Sequence, residues 1–222
     1  MNEMLKQIAN LVERGKVNAR SPFPPDLKGQ DGVDEITKAA LAAGVSAQDV
    51  LEQGLIEGMK AIGARFRRDE VFVPDVLMAA KAMKTGMAHI RPFFQTGEVK
   101  RKGVLIIGTV AGDMHDIGKN LVAMVAEGGG YEVVDLGIDV ATDRFLQALA
   151  EKPGAVVGLS ALLTTTMLNM EETVKAVKQR FPQTRVLIGG APVNAHFAQQ
   201  IGADAYAADP QGAVEYLNAN VA

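Results

Sequence analysis

The chain of 222 residues contains no cysteine and no tryptophan, and it has only three histidines. Without cysteine there is no disulfide framework, and there is no thiolate that could act as a nucleophile or bind zinc. No apolar run approaches the roughly 18 residues of a membrane span, and the N-terminal segment MNEMLKQIANLVERGK lacks the continuous apolar core of a signal peptide. We therefore expect a cytoplasmic protein without membrane contact.

Charge is also limited, because the net charge is −3 and the basic residues form no stripe along the chain. This composition provides no electrostatic footprint for nucleic acid, so no nucleic-acid partner is expected. With 48% hydrophobic and 22% charged residues, the chain has an ordinary globular composition. Its length is long for one small domain and short for two large ones.

Residues 1–92 have the apolar periodicity of helices and predict a four-helix bundle. Segment 21–32 contains three prolines and two glycines and is predicted to be a loop. A short helix over 34–43 follows, Ser46 is placed to cap the third helix, and Pro74 suits the first turn of the fourth. The predicted buried stripes are Met4, Leu5, Ile8, Leu11 and Val12, then Leu51, Leu55, Met59, Ile62 and Phe66, and finally Leu77, Ala80, Met83, Met87 and Ile90.

After a predicted linker over 93–102, residues 103–222 alternate between short β-rich runs and helical stretches. The β-rich runs are GVLIIGTV, YEVVDLG, AVVGLSAL, RVLIGG and DAYAAD. Five strand–helix units of this length predict an open, mostly parallel, doubly wound sheet with helices on both faces. The fold class expected for the whole chain is therefore α/β with an N-terminal helical bundle.

Unusual residues follow three of the predicted strands. The first strand runs into DMHDIG (113–118), the third into SALLTTT (160–166), and the fourth into GGAP (189–192). Ligands of open α/β sheets bind beyond the carboxyl ends of the strands. We therefore expect these three segments to line one crevice.

His115 has the properties of a metal ligand in this setting. A neutral imidazole binds a metal through one ring nitrogen when the other donates its proton to a fixed acceptor, and Asp113 is placed to be that acceptor. One histidine without cysteine cannot form an ordinary zinc site, which needs three or four protein ligands. A single nitrogen is enough when a macrocycle already holds the metal, and the small residues Ser160, Gly118, Gly189 and Gly190 would leave a slot beside it.

Each feature also has a plainer interpretation. A histidine at a strand-to-helix turn often caps or hydrogen-bonds the turn, a Gly-Gly pair often forms a tight turn, and 164–166 could simply cap a helix. His89 and His196 lie in helical stretches without an acid at the same spacing, so they are predicted to be structural. The combination of the three segments, and no single one of them, favours a binding site.

The combination resembles the vitamin B12-binding domain of the type in which a protein histidine binds cobalt. In that family a D-x-H-x-x-G motif is followed by S-x-L and then by G-G, and here the intervals are 42 positions from Gly118 to Ser160 and 27 from Leu162 to Gly189. Residues 50–94 resemble the helical cap that precedes this domain in cobalamin-dependent methionine synthase and in the corrinoid proteins of methanol, methylamine and O-demethylase methyltransferase systems. The resemblance implies a four-helix cap followed by a five-stranded, flavodoxin-like, cobalamin-binding domain.

The resemblance also implies roles for individual residues. His115 would be the lower axial ligand of cobalt, replacing the cofactor's dimethylbenzimidazole, Asp113 would hydrogen-bond its other nitrogen, and Thr166 would complete a relay in which methionine synthase has a serine. The residues implied to line the slot for the displaced nucleotide tail are Ser160, Leu162, Thr164, Gly189, Gly190 and Ala191. Those implied to contact the corrin edge and tail are Gly112, Met114, Asp116 and Gly118. In the cap, Phe66 and Val73 would shield the upper face, and Glu52 would also meet the cofactor.

The function implied by the resemblance is that of a methyl carrier. Cobalt(I) would accept a methyl group, and methyl-cobalt(III) would deliver it to an acceptor such as tetrahydrofolate, with O-demethylation of methoxylated aromatics as the first choice and methanol or methylamines as alternatives. The chain offers no thiolate and no third domain, so it should depend on a methyl-donor methyltransferase, an acceptor (folate) methyltransferase and a reductive activator.

Three other classes of protein share part of this pattern. A B12-dependent mutase subunit usually lacks the helical cap, and a B12-based sensor or regulator needs a DNA-binding domain for which the chain has neither the length nor the charge. A receiver-like signalling domain needs a phosphorylatable aspartate at the end of the third strand, where this chain has Ser160-Ala161-Leu162.

Overall fold

The computed structural model describes residues 2–221, which divide into two compact units. The helical unit comprises the residues up to Arg101 together with Gly128–Gly130, and the α/β unit comprises Lys102–Glu127 and the residues from Tyr131 onward. No helix within residues 2–221 has the length and hydrophobicity needed to cross a bilayer.

The helical unit contains the four predicted helices, of which the third is made of three consecutive helical segments. They are α1 (Glu3–Glu13), α2 (Val33–Ala42), a continuous stretch made of α3 (Ala47–Asp49), a π-helical segment (Val50–Ile56) and α4 (Glu57–Arg67), and finally α5 (Val73–Gln95). As predicted, Ser46 caps the third helix, because its side-chain oxygen accepts a hydrogen bond of 3.0 Å from the Asp49 N–H. The proline-rich loop contains one short 3₁₀ helix, Pro25–Leu27. The four-helix bundle predicted from periodicity is confirmed.

The buried side of the fourth helix, α5, differs from the prediction near its N-terminus. Leu77, which was predicted to be buried, is exposed, whereas its neighbour Val76 is buried. Farther along α5, Met83 and Ile90 are buried as predicted, but Met87 is only partly covered. Adjacent apolar residues such as Val76 and Leu77 fit a helical stripe almost equally well, so periodicity did not fix which of them faces the core.

The α/β unit is built on five parallel strands. They are β1 (Val104–Thr109), β2 (Glu132–Asp135), β3 (Val156–Ser160), β4 (Val186–Gly189) and β5 (Ala205–Tyr206), in the spatial order β2-β1-β3-β4-β5. The connecting and terminal helices are α6 (Ile117–Gly128), α7 (Thr142–Glu151), α8 (Met167–Arg180), α9 (Ala195–Ile201) and α10 (Pro210–Asn220). The predicted five-stranded parallel sheet is therefore confirmed.

Both faces of the sheet are covered. On one face, strand residues such as Ile106, Val157 and Ile188 pack with the apolar sides of α7, α8 and α9. Alternate strand residues such as Leu105 and Ile107 are buried as well, because the right-handed crossover from β1 to β2 places α6 on the opposite face. The chain leaves β1 in one direction to reach β2 and later crosses to β3 on the other side. This reversal opens a crevice at the carboxyl ends of β1 and β3.

Candidate functional site

The turn between β1 and α6 holds His115 at the carboxyl edge of the sheet. The fully buried hydroxyl of Thr109, the last residue of β1, donates a hydrogen bond of 2.8 Å to the His115 carbonyl. The Asn169 amide on α8 donates to the Ala111 carbonyl at 2.7 Å. These bonds fix the turn from two sides, while the His115 side chain remains 50% exposed.

Asp113 is the centre of the hydrogen-bond network around His115. Its side chain is fully buried, and its Oδ1 lies 2.8 Å from Nδ1 of His115 and accepts the His115 backbone N–H at 3.1 Å. Its Oδ2 accepts the backbone N–H of Leu162 at 2.7 Å and of Leu163 at 3.3 Å, and the hydroxyl of Thr166 at 2.8 Å. The two carboxylate oxygens therefore have five donors between them.

This arrangement fixes the charge of Asp113 and the tautomer of His115. Burial alone raises the pKa of Asp113, but the hydrogen bonds from Leu162, His115 and Thr166 outweigh burial and hold that pKa well below its usual value. An ionised carboxylate can only accept, so Nδ1 of the neutral imidazole must carry the proton. Nε2 is then left with a lone pair, and no group within residues 2–221 forms a hydrogen bond with it.

Thr166 contacts Asp113 and has no direct bond to His115. It ends the 3₁₀ helix Thr164–Thr166 and is buried, with its hydroxyl oxygen also 2.9 Å from the Leu163 carbonyl. A hydroxyl has one proton, and the ionised Asp113 is the stronger acceptor. Thr166 therefore stabilises the carboxylate that orients the imidazole.

The three strand ends singled out in the sequence meet in the structure. The Val110 N–H donates to the Ser160 carbonyl at 3.0 Å, and the Ala161 N–H donates to the Gly189 carbonyl at 3.2 Å. Gly190 allows this close approach, because a Cβ at its position would lie 1.8 Å from the Ala161 carbonyl oxygen. The segments that carry the remaining predicted residues of this unit are thereby brought to one edge; those residues are Gly112, Met114, Asp116, Gly118, Leu162, Thr164 and Ala191.

Three predicted residues belong to the helical unit. Phe66 lies near the end of α4 and is half-buried, Val73 is the first residue of α5, and Glu52 is exposed in the π-helical segment with Oε1 accepting from Gln48 at 2.5 Å. Their roles toward a cofactor remain predictions. The same unit contains a second histidine–carboxylate pair that spacing did not indicate, because His89 Nε2 lies 2.6 Å from Asp34 Oδ1, 55 positions away in the sequence.

Exposed apolar side chains lie on the His115 turn and on the two loops that hydrogen-bond to Asp113, and sequence reasoning identified only part of this set. Met114 and Ile117 of the β1–α6 turn are 64% and 71% exposed, Leu162 and Leu163 after β3 are 42% and 41% exposed, and Ile138 after β2 is 37% exposed. The prediction included Met114 and Leu162 and missed the other three. Apolar residues directly after neighbouring strand ends were the available signal for them. Such a cluster is unusual on a protein surface unless a ligand or partner covers it.

The donor set fits a metal that a macrocycle already holds. Within residues 2–221 no group of three or more histidine, cysteine, aspartate or glutamate side chains could hold a bare metal ion. A single oriented nitrogen, Nε2 of His115, among exposed apolar side chains instead suits a metal held in a large planar macrocycle that has one coordination position open. A Cβ at Gly118 would meet nothing within 4 Å, so the start of α6 has open space beside it. The residues present therefore fit a corrinoid.

Comparison with known proteins identifies the family. Two family descriptions, both of a B12 binding domain, match residues 30–91 and 103–215. The trimethylamine corrinoid protein 2 of Methanosarcina mazei is 42% identical over 190 residues, which cover 83% of this chain and 87% of that protein. A corrinoid protein of Desulfitobacterium hafniense is 37% identical over 194 residues, covering 85% of this chain and 90% of that protein.

A solved structure gives the same result at the level of the fold. The structure of the methanol:cobalamin methyltransferase complex from Methanosarcina barkeri contains a chain that is 28% identical, with a TM-score of 0.80 over 98% of this chain and 79% of that one. The matched family descriptions and the curated relatives cover both predicted parts of the sequence. The chain therefore belongs to the B12-binding corrinoid proteins of methyltransferase systems, and its cofactor is cobalamin or a related corrinoid.

Proposed function

We propose that His115 binds the cobalt of the corrinoid through Nε2 and that the protein carries methyl groups between methyltransferases. The observation that supports this proposal most directly is the 2.8 Å contact between His115 Nδ1 and the buried Asp113 carboxylate. That contact fixes the tautomer whose free nitrogen is a metal ligand, and it increases the basicity of the ring.

A bound corrinoid would supply the cobalt centre for methyl transfer. The chain's own residues would orient the histidine that holds the metal and control its basicity. Asp113 holds the Nδ1 proton of His115, Thr166 stabilises Asp113, and the exposed rim of Met114 and Leu162 excludes water from the ring. In this proposal the glycines after β4 and at the start of α6 leave room for the nucleotide tail.

The proposed partners follow from what the chain lacks. Removing a methyl group from an amine, alcohol or ether needs a Lewis acid or a general acid to assist the leaving group. Within residues 2–221 no residue cluster could hold a catalytic metal ion for this step. We therefore assign it to a separate methyl-donor methyltransferase, with an acceptor (folate) methyltransferase and a reductive activator as further partners. The relative from Methanosarcina barkeri, whose structure is that of a methyltransferase complex, supports the first of these partners.

The methyl donor has three candidate classes. The names of the relatives support methylamines, through the trimethylamine corrinoid protein, and methanol, through the methyltransferase complex. Methoxylated aromatics, with tetrahydrofolate as acceptor, were favoured by the resemblance of the cap and loop. Reduced, corrinoid-loaded protein should be incubated with a methyltransferase specific for each donor class. Methylation of the corrinoid by one class alone identifies the donor.

The ligand assignment is tested with the reduced, cobalt(II) form of the cobalamin-loaded protein. In protein labelled with ¹⁵N-histidine, a histidine ligand of cobalt splits the electron paramagnetic resonance lines into doublets, whereas the cofactor's own unlabelled base gives triplets, and His115→Ala should abolish the doublets. His196→Ala is the matched control, because His196 is an exposed histidine of the same unit outside the site. Doublets that persist in labelled His115→Ala contradict the assignment.

A further inference from the structure

Asp139, a residue outside the three motifs, holds the backbone of the turn that carries His115. It lies in the loop between β2 and α7, and its N–H donates to the Asp113 carbonyl at 3.0 Å. Its Oδ1 accepts the N–H of Gly112 at 2.7 Å. One residue of a neighbouring loop therefore engages both ends of the Gly112–Asp113 dipeptide.

The backbone conformation of Asp139 is unusual and is tied to these two bonds. Its φ is 51°, in the left-handed region that residues other than glycine seldom occupy and that aspartate tolerates better than most. Asp139 is also exposed, so burial in a core does not account for its conformation. Such conformations persist where surrounding contacts over-determine them, and they concentrate at functional sites.

The bonds of Asp139 lead to His115 through the backbone. The carboxylate of Asp113 accepts five donors. Because only one methylene joins this carboxylate to the backbone, its position relative to those donors depends on where the Gly112–Asp113 backbone is held. The Asp113 carboxylate in turn fixes the imidazole at Nδ1. A shift of the backbone at Gly112 would therefore rotate or displace Nε2, the atom that faces the cofactor.

We propose that Asp139 is a positioning residue that presets the orientation of His115 for cobalt by fixing the Gly112–Asp113 backbone. This inference rests on the proposed ligand role of His115. It does not require Asp139 to touch the cofactor. It assigns the β2–α7 loop, which carries no binding motif, to the support of the axial ligand.

Three variants separate the side-chain bond from the backbone conformation. Asp139→Gly retains the N–H and the freedom to adopt a positive φ, but it removes the acceptor for Gly112. Asp139→Asn retains an Oδ1 acceptor and should restore the wild-type behaviour. Asp143→Ala is the matched control, since it removes an exposed acid at the start of α7.

Three readouts are needed, two in cobalamin-loaded protein and one in protein without cofactor. In cobalamin-loaded protein, Asp139→Gly should raise the cobalamin dissociation constant by about three- to tenfold, less than the roughly 10- to 100-fold loss typical of a direct partner of a metal-binding histidine. The signal from the protein nitrogen in the cobalt(II) spectrum should fall in parallel. In protein without cofactor, ¹⁵N NMR of the His115 ring should change from one Nδ1–H tautomer to a mixture.

The outcomes distinguish this inference from the proposed function. If His115→Ala removes the protein nitrogen signal while Asp139→Gly matches the wild type in affinity, spectrum and tautomer, the positioning role is wrong and the ligand role stands. If His115→Ala leaves the signal unchanged, the proposed function itself fails. Loss of cobalamin affinity in Asp139→Asn equal to that in Asp139→Gly would also contradict the role, because the acceptor is retained.

Discussion

The hydroxyl of Thr166 lies 2.8 Å from Oδ2 of Asp113, so the segment after β3 stabilises the carboxylate that orients His115 on the turn after β1. Both Thr166 and Asp113 are buried. The contact joins the two strand ends at the crevice in which a ligand of this fold is expected. It makes the histidine, the carboxylate and the hydroxyl one connected network.

Replacing Thr166 with valine should destabilise the α/β unit by about 1.5–3 kcal/mol, the range for a hydrogen bond to a charged group. The change nearly conserves the shape of the side chain and replaces the hydroxyl with a methyl group. Urea unfolding followed by tyrosine fluorescence measures this unit alone, because the chain has three tyrosines and no tryptophan, and Tyr131, Tyr206 and Tyr216 all belong to it.

Thr166→Ser should stay within about 0.5 kcal/mol of the wild type because it retains the donor, and Thr165→Val at an exposed neighbouring position should do the same. Equal losses in Thr166→Val and Thr165→Val would mean that the bond to Asp113 contributes nothing measurable.

The stability of the α/β unit should depend on pH through Asp113. Because the hydrogen bonds lower its pKa in the folded state, the ionised carboxylate stabilises the fold fully at pH values above its unfolded pKa of about 3.9. That stabilisation is lost as the pH falls through the lower folded pKa. The difference in unfolding free energy between wild type and Asp113→Asn should therefore shrink as the pH is lowered below about 4. A difference that is constant with pH would show that the carboxylate is not preferentially stabilised when folded.

An ion pair beside the site, in which only the lysine is buried, should respond asymmetrically to mutation. The side chain of Lys119 is 2% exposed, and its ammonium lies 2.5 Å from Asp135 and 2.6 Å from the Asn120 side-chain oxygen. Removing the acid leaves a buried cation. Because Asp135 is itself 39% exposed, Asp135→Ala should cost about 1–3 kcal/mol, below the range for fully buried pairs.

Lys119→Met removes the charge and retains the volume, so it should cost less than Asp135→Ala. Urea unfolding of both variants, followed by tyrosine fluorescence, makes the comparison. A larger cost for Lys119→Met would show that the ammonium contributes net stability.

Two glycines of the proposed tail slot should behave differently. Gly190→Ala places a Cβ against the Ala161 carbonyl and should destabilise the α/β unit by at least about 2 kcal/mol. Gly118→Leu enters open space, so the unit should stay folded in tyrosine-monitored urea unfolding while cobalamin binding, measured by absorbance titration, weakens. Full cobalamin affinity in Gly118→Leu would show that Gly118 does not line the slot.

The sequence predicted the parts of the site that depend on strand ends. His115, Asp113 and Thr166 lie at predicted positions because parallel strands bring their carboxyl ends to one edge whatever the details of the loops. Asp139 could not be predicted, since its role depends on a left-handed φ and on a contact between two loops. The partner of His89 was missed because Asp34 lies on another helix. The helical period fits either Val76 or Leu77 as the residue that faces the core, and in the structure Val76 is buried while Leu77 is exposed.

The central claim is that a protein histidine, and not the cofactor's own base, binds cobalt from below. Protein produced with ¹⁵N-labelled histidine and loaded with unlabelled cobalamin in the cobalt(II) state tests this directly by electron paramagnetic resonance. Ligation by His115 predicts that the nitrogen splitting changes from triplets to doublets on labelling and that the doublets disappear in His115→Ala. Triplets that persist in the labelled protein would show that the cofactor's base still holds the metal and would contradict the account.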